Sequence, residues 1–340
     1  MCAAEDATNV SYSRQTIHVL PELETQPQGS INRIIFLHIP KTAGTNVDNI
    51  SKTISLITNS FYYQRLPVPR IPGCSPVQIV EGWIGGWQQL NLTSHLLYTL
   101  PESFFLAGHF PYGLHEYLSS PVKYVTLVRN PLERELSTAN FAYQRGYIHA
   151  EEFTSYLLDQ MIDNPQVRLV AGREAMVGPC TEETLNIAMQ NIERDFLLSA
   201  PSEDVDTFLQ VLASFQKWGP LAYAPMQITH EKIAKELDPL LEEKLLQKHK
   251  WDMLFYNWVK QKWNLYKQAM IIGQKTILPE QIILTLMPDH LSSRKPQWLT
   301  INDIEVYNRT HSTEDLLKMT QSGFPTAAKN LNRDSSSAAM

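Results

Sequence analysis

The stretch FLHIPKTAGTNVDNI, residues 36–50, places small and basic residues between a predicted strand and a predicted helix. The helix carries apolar residues at helical spacing from Val47 onward. Where a strand ends at small residues and a helix begins directly after them, backbone N–H groups point toward an anion. Lys41 adds an ammonium group, and Thr42 and Thr45 add hydroxyls. The segment therefore predicts an anion-binding loop.

A second strand-to-helix turn follows at VTLVRNPLERELS, residues 125–137. The run before Arg129 is almost continuous in apolar and β-branched residues, which is typical of a buried parallel strand. Asn130 is a favoured N-cap residue, Pro131 suits the first helical position, and Glu133 stands where a capping box has its acid. The pattern predicts that a helix begins here, with Arg129 at its entrance.

The loop at residues 40–45 differs from the phosphate loop of nucleotide triphosphatases. In that loop the lysine comes at the end, directly before a serine or threonine that binds magnesium. Here Lys41 comes first, the loop is shorter, and the sequence offers no convincing acidic strand end for magnesium. This order favours one terminal tetrahedral anion over a triphosphate chain, and it disfavours a nucleotide kinase.

The composition limits the possible partners. The 340 residues carry a formal net charge of −6, whereas nucleic-acid binders are normally strongly basic, so no nucleic-acid partner is expected. Three widely spaced cysteines without Cys/His ligand spacing predict neither a disulfide framework nor a metal site. Because no stretch reaches the ~18 apolar residues of a membrane span and no signal peptide is visible, we expect a cytoplasmic protein without a transmembrane segment.

The chain divides into three predicted segments. Residues 1–30 are a polar N-terminal arm, residues 31–275 hold the main domain, and residues 276–340 are a C-terminal extension with a disordered tail. Helices are expected in the second half at residues 151–162, 181–198, 203–216 and 230–271, the last broken near Asp238. The pattern predicts an α/β fold, a P-loop-like parallel sheet flanked by helices, with a mostly helical C-terminal half.

Several segments together resemble a known family. FLHIPKTAGT is similar to the 5′-phosphosulfate-binding loop of the carbohydrate sulfotransferases, VTLVRNPLERELS to their 3′-phosphate-binding segment, and AGHFPYGLHEYL to the segment with their catalytic histidine. DNPQVRLVAG is similar to a segment that is frequent in bacterial members of the family, and LNIAMQNIERDFLL resembles the helix that usually follows it. The resemblance spans about residues 31–265 and lies near the heparan sulfate 2-O-sulfotransferase branch, in sulfotransferase family 2. It implies that residues 31–275 use 3′-phosphoadenosine 5′-phosphosulfate (PAPS) as co-substrate, without a metal.

The resemblance assigns residues to two anion sites and to catalysis. PAPS carries phosphates at both ends of its ribose, so two strand-to-helix turns on neighbouring parallel strands suit it. His109 would accept the proton of the acceptor hydroxyl, and Lys41 would stabilise charge on the leaving oxygen. The implied cofactor-binding residues are Lys41, Thr42, Ala43, Gly44, Thr45, Asn46, Arg129 and Ser137.

Other histidines leave the choice of the base open. From the residues alone, a histidine at a strand end such as His109 more often bonds backbone than takes a substrate proton. His38, within the loop strand, and His115 are the alternatives; His38 is expected to orient the loop, and His115 to face the acceptor groove or solvent. Ala107 stands where part of the family branch has a second histidine, so a mechanism with paired histidines is not implied.

Further residues are assigned to the nucleotide or acceptor side. Asn164 and Arg168 match an asparagine and an arginine of the family and are predicted, with His38, to support the nucleotide or the acceptor. Trp83 and Trp87 could stack on a sugar face or pack a loop onto the core. LLSAPSED departs from the family pattern after the predicted helix at 181–198, so no role is assigned to it.

Two classes of function stay open on the sequence. The favoured hypothesis is transfer of the sulfuryl group from PAPS to a hydroxyl of a carbohydrate or similar acceptor. The acidic composition favours a neutral glycan, a glycolipid or a small molecule over heparan. The alternative is a non-catalytic protein that binds PAPS or adenosine 3′,5′-bisphosphate (PAP) and offers its long C-terminal helices to a partner. The joint presence of Lys41, His109, Arg129 and Ser137 favours the enzyme.

Overall fold

The structure, a computed structural model, describes residues 16–23, 32–58, 62–65, 100–118, 121–225, 232–271, 276–277, 281–286 and 297–311. The strands in these ranges are β1 His18–Leu20, β2 Glu22–Leu23, β3 Arg33–Leu37, β4 Tyr62–Arg65, β5 Phe104–Gly108, β6 Lys123–Val128, β7 Phe196–Pro201, β8 Leu221–Tyr223, β9 Thr276–Ile277, β10 Gln281–Leu286 and β11 Gln297–Thr300. The longer helices are α1 Gly44–Thr58, α2 Pro131–Gln144, α3 Pro165–Ala171, α4 Glu182–Asp195, α5 Val205–Gln216, α6 Pro239–Lys248, α7 Lys250–Ile271 and α8 Ile301–Thr310.

The main sheet of the described residues has five parallel strands in the order β4-β5-β3-β6-β7. Its central strand β3 pairs with β5 on one side and with β6 on the other, so that Leu37 lies opposite Gly108 and Thr126. Because parallel strands end at the same edge of a sheet, the residues after Leu37, Gly108 and Val128 come together. The predicted parallel α/β sheet is confirmed.

Helices cover both faces of this sheet. Ile34 and Phe36 of β3 pack with α1 and α5, whereas Ile35 and Leu37 pack with α3, α4 and α7. All four side chains are fully buried. Burial on both faces explains why the strand reads as a continuous apolar run rather than an alternating one.

A second sheet, in the order β1-β8-β10-β11, joins distant parts of the chain. β1 and β8 are antiparallel, β8 and β10 parallel, and β10 and β11 antiparallel. The backbone of Ile17 exchanges two hydrogen bonds with the side-chain amide of Asn308, at 2.7 and 2.8 Å. Strands from the segments predicted at 1–30, 31–275 and 276–340 share this sheet, and the division into those segments stays a prediction.

Local signals decide where two helices begin. The Asn130 side chain accepts hydrogen bonds from the backbone N–H groups of Leu132 and Glu133, at 3.0 and 3.4 Å, and Pro131 is the first helical residue. Asp238 caps α6 in the same way, at the predicted break. The N-cap at Asn130 confirms the sequence prediction, because its side chain satisfies N–H groups that have no partner within the helix. The helix predicted over residues 230–271 is wrong at its start, since residues 232–238 are not helical and α6 begins only after Asp238.

The helix predicted over residues 181–198 is wrong at its C-terminal end. It ends at Asp195, and Phe196–Pro201 form β7, which pairs in parallel with β6. The apolar run Phe196–Leu198 fits a helix or a strand equally well. Pairing with β6 makes this segment a strand. The local sequence carries no information about that pairing.

Candidate active site

The turn between β3 and α1 has an unusual backbone. Lys41 and Ala43 both lie in the left-handed region, with φ of 68° and 64°, a conformation that costs a non-glycine residue about 1–3 kcal/mol and clusters at functional sites. Left-handed residues that alternate with others turn successive backbone N–H groups into an anion-binding concavity. Thr42, between them, is buried, and its hydroxyl donates to the Ile39 carbonyl at 2.8 Å. This geometry supports the predicted anion-binding loop.

Gly44 is needed where the loop enters α1. A Cβ atom at this position would lie 2.3 Å from Cδ2 and 2.5 Å from Nε2 of His38, and 2.8 Å from Cζ of Phe36. Both rings are buried, so neither can easily move away. The missing side chain therefore allows the N-terminus of α1 to approach the carboxyl end of β3.

His109 and His38 lie side by side at the ends of β5 and β3. The Nδ1–H of His109 donates to the backbone carbonyl of His38 at 2.6 Å, and their ring centroids are 4.3 Å apart. Because a carbonyl can only accept, the proton is on Nδ1, and the neutral His109 ring carries its lone pair on Nε2. His38 is only 3% exposed and stacks on Phe36, so its contacts support a role in orienting the loop.

His115 lies away from this site. Its backbone N–H donates to the Tyr124 hydroxyl at 2.9 Å, and its Nδ1 lies 3.1 Å from the same oxygen. Tyr124 is near the start of β6, whereas the site lies beyond the other end of this strand, about 13 Å away at the usual rise per residue. The position removes His115 from the candidates for the base.

Arg129 connects the two strand-to-helix turns. It follows β6 directly, and its Nη1 donates to the backbone carbonyl of Lys41 at 3.2 Å. Its Nε lies 3.4 Å from a carboxylate oxygen of Glu133, a side chain that is largely exposed. The guanidinium of Arg129 is therefore next to the loop, as expected for neighbouring parallel strands.

The ammonium group of Lys41 lies among other cations. Its Nζ is 4.2 Å from the centroid of the Phe141 ring on α2, and Cζ of Arg145 is 5.2 Å from the same centroid. Burial, followed by repulsion from Arg129 and Arg145, lowers the pKa of Lys41 to about 8. A cluster of three cations in a chain with a net charge of −6 favours an anionic ligand at this place.

The lowered pKa of Lys41 predicts how anion binding depends on pH. A bound phosphate favours the protonated lysine, so affinity for PAP should be constant from pH 7 to about 8 and then fall, by at most about tenfold per pH unit, as the free protein loses this proton. Calorimetry over pH 7–10 measures the decline. Lys41→Arg stays charged throughout and should remove it; a decline that persists in this variant would contradict the assignment to Lys41.

The remaining predicted cofactor-binding residues lie on the loop or on α2. Asn46 is buried, and its backbone N–H donates to the Ala43 carbonyl at 3.1 Å. The Thr45 carbonyl accepts a hydrogen bond from the Asn49 side chain at 2.9 Å. Ser137 is half-buried within α2. The structure thus gathers the loop residues into one turn and places Ser137 on the helix that Arg129 precedes.

Asn164 and Arg168 contact the protein interior. Oδ1 of Asn164 accepts two backbone N–H groups from the first turn of α7, at 2.9 and 3.1 Å. Arg168 donates to the Asp163 carboxylate at 2.7 Å and to three backbone carbonyls. Asn164 and Arg168 are each only 2% exposed. Because these contacts are structural, we do not retain Asn164 and Arg168 as supports of the nucleotide or acceptor.

Three residues near the site were missed by sequence reasoning. Phe141 and Arg145 lie next to Lys41. The available sequence signal was their spacing of four residues, which places both side chains on one face of the predicted helix. The side chain of Gln166 contacts the backbone of Arg129. Its only sequence signal was its place in the DNPQVRLVAG segment, one residue before Val167.

Other expectations about the site concern metals, membrane spans and two tryptophans. Within the part of the chain that the structure describes, no three His, Cys, Asp or Glu side chains gather as a metal site would require. In that same part, no helix combines the length and the apolar character needed to cross a membrane. Trp83 and Trp87 lie outside the described residues.

Comparisons with known proteins match the chain to solved structures only at low similarity. No protein-family model matches the chain, and no curated protein matches it. A crystal structure of a sulfotransferase from Alicyclobacillus acidocaldarius matches with 12% identity over 67% of this chain and 95% of its own, with a TM-score of 0.35. Retinol dehydratase in a complex with retinol and PAP matches with 15% identity over 65% of this chain and 64% of its own, with a TM-score of 0.28. Neither TM-score reaches 0.5, so the assignment of a function depends on the residues of the site.

Proposed function

We propose that the protein is a PAPS-dependent O-sulfotransferase that acts on a hydroxyl of a carbohydrate or a similar acceptor. One observation carries the proposal: a strained anion-binding turn at Lys41–Asn46, the guanidinium of Arg129 and the ring of His109 share one edge of a parallel sheet. The net charge of −6 favours a neutral glycan, a glycolipid or a small molecule as acceptor.

The two turns would bind the two ends of the nucleotide. The N–H groups of the loop and of the first turn of α1, the Lys41 ammonium and the hydroxyl of Thr45 suit the 5′-phosphosulfate. Arg129 and Ser137 suit the 3′-phosphate, because a guanidinium fork matches a phosphate better than a point charge does. In this assignment Arg129 also keeps the two sites together through its hydrogen bond to the Lys41 carbonyl.

The chemistry is an in-line displacement at sulfur. The acceptor oxygen bonds to sulfur, the bond between sulfur and the 5′-phosphate oxygen breaks, and PAP leaves with the additional negative charge. Nε2 of His109 takes the proton of the acceptor hydroxyl, since Nδ1–H is held by the His38 carbonyl. Lys41 stabilises charge on the leaving phosphate oxygen, and positioning by the two turns supplies much of the remaining rate.

The direct test is transfer of labelled sulfate from PAPS to a panel of neutral glycans, glycolipids and small alcohols. Sulfated product from at least one class is the expected outcome. Tight PAP binding without transfer to any acceptor would favour the alternative, a non-catalytic binding protein. Binding of ATP in preference to PAP would contradict both and favour a nucleotide kinase.

Replacing Arg129 with alanine should distinguish the two phosphate sites. We expect a loss of about 2–3 kcal/mol in PAP binding, through the missing charge-assisted hydrogen bonds, and little change for AMP, which has no 3′-phosphate. Calorimetry with the two nucleotides measures the difference, and Arg33→Ala, at the other end of β3, controls for the loss of one positive charge. Equal losses for both nucleotides would remove Arg129 from the 3′-phosphate site.

Turnover should not require a divalent metal. The ammonium of Lys41 and the N–H groups of the loop can stabilise the leaving phosphate, a role that magnesium has in phosphoryl transfer. We expect unchanged sulfate transfer in excess EDTA. Complete loss of activity that magnesium alone restores would contradict this part of the mechanism.

A further inference from the structure

The backbone of Arg129 lies just beyond the sheet. The pairing of β6 with β7 reaches Val128, which lies opposite Pro201. The next N–H group, that of Arg129, donates to Oε1 of Gln166 at 2.9 Å, and the Arg129 carbonyl accepts from Nε2 of Gln166 at 2.8 Å. One side-chain amide thus satisfies both backbone groups of Arg129, as a neighbouring strand would.

Gln166 is itself held firmly. The residue is fully buried, and its backbone N–H donates to Oδ2 of Asp252 at 3.1 Å, while Val167 N–H donates to Oδ1 of the same carboxylate at 2.7 Å. Asp252 is also fully buried, and its own N–H donates to Asn164. The N-termini of α3 and α7 therefore cap each other, which fixes the position from which Gln166 reaches Arg129.

The side chain of Arg129 is held less tightly than its backbone. The side chain is 30% exposed, and the contacts of its guanidinium with the Lys41 carbonyl and the Glu133 carboxylate measure 3.2 and 3.4 Å. The two bonds from Gln166 to the Arg129 backbone, at 2.9 and 2.8 Å, are shorter. The side-chain amide of Gln166 therefore holds the backbone from which the Arg129 side chain extends.

We infer that Gln166 is a positioning residue that directs the guanidinium of Arg129 toward the phosphate that it binds. This role depends on the proposed function, since it requires Arg129 to hold the 3′-phosphate. In this role Gln166 acts on the nucleotide through the backbone of Arg129. Its loss should therefore reduce discrimination between PAP and AMP rather than nucleotide binding in general.

Gln166→Met tests the inference because methionine keeps the length of the side chain and removes both hydrogen bonds. We expect PAP affinity to fall about tenfold and AMP affinity to change by less than about threefold, since a misdirected arginine loses part of a charge-assisted contact. Calorimetry measures both affinities, and thermal unfolding confirms that the variant is folded. A folded variant with the wild-type ratio of affinities would overturn the inference.

Asn191→Leu is the matched control. Asn191 is also buried, and its side-chain amide donates to the carbonyls of Val170 and Ala171 at the other end of α3. It resembles Gln166 in burial and bonding to backbone, but it lies away from Arg129. We expect a lower melting temperature and an unchanged ratio of PAP to AMP affinity. A ratio that falls as much as in Gln166→Met would assign the effect to general loosening of α3 and overturn the inference.

Gln166→Glu adds a readout that depends on pH. A protonated glutamic acid can accept from the Arg129 N–H and donate to its carbonyl, whereas a carboxylate cannot donate. Relative to the wild type at each pH, PAP affinity of this variant should recover as the pH is lowered and fall as it is raised. A constant relative affinity would contradict the role of the two hydrogen bonds. A wild-type protein that does not bind PAP would contradict the proposed function itself, and the inference with it.

Discussion

Replacing His109 with alanine should lower kcat by about 10²–10⁴-fold and leave PAP affinity nearly unchanged. A general base acts on the acceptor proton in the transition state, and it contributes little to binding of the nucleotide. The hydrogen bond from Nδ1 to the His38 carbonyl fixes the ring in the tautomer whose acceptor nitrogen is Nε2. The measurement is sulfate transfer from saturating PAPS, together with calorimetry of PAP binding.

The pH profile and a second histidine make this prediction specific. In the wild type, log kcat should rise with pH as the base loses its proton, and this step should be absent in His109→Ala. His115→Ala is the matched control, because His115 contacts Tyr124 at the opposite end of β6, and it should leave kcat unchanged. Near-normal turnover in His109→Ala, or a step that persists, would place the base elsewhere, with His38 the next residue to replace.

The parts of the fold that are encoded locally were predictable. The strand before Lys41 and the strand before Arg129 read as buried apolar runs because helices cover both faces of the sheet. Asn130 signalled the start of α2 because its side chain caps that helix in the structure. The edge at which Lys41, His109 and Arg129 meet follows from the parallel direction of three strands.

The features that depend on distant contacts were not predictable. Phe196–Pro201 continues an apolar helix pattern, and only its pairing with β6 makes it a strand. The left-handed backbone of Lys41 and Ala43 opposes the ordinary preference of both residue types, so their identities conceal it. Asn164 matched a motif, yet its side chain caps α7, a helix far along the chain. In each case tertiary contacts outweigh local preference.

Replacing Lys41 with alanine should weaken both turnover and nucleotide binding. We expect kcat to fall by about 10²–10³-fold, because the ammonium stabilises charge that develops on the leaving oxygen, and PAP affinity to fall by at least about tenfold, because it also contacts the bound nucleotide. Alanine keeps a Cβ, so the left-handed backbone at φ 68° bears a similar strain in both proteins. The change therefore reports on the ammonium group and not on the turn.

The combined loss separates Lys41 from His109, whose replacement should affect turnover alone. Lys52→Ala is the matched control, since Lys52 is exposed on α1, the helix that follows the loop, and its loss changes the net charge equally. We expect that control to retain kcat and PAP affinity, because an exposed charge is screened by salt. Normal PAP binding by Lys41→Ala would show that contact with the ammonium of Lys41 does not account for anion binding at this loop. The same losses in Lys52→Ala would assign anion binding to the long-range field of the protein instead.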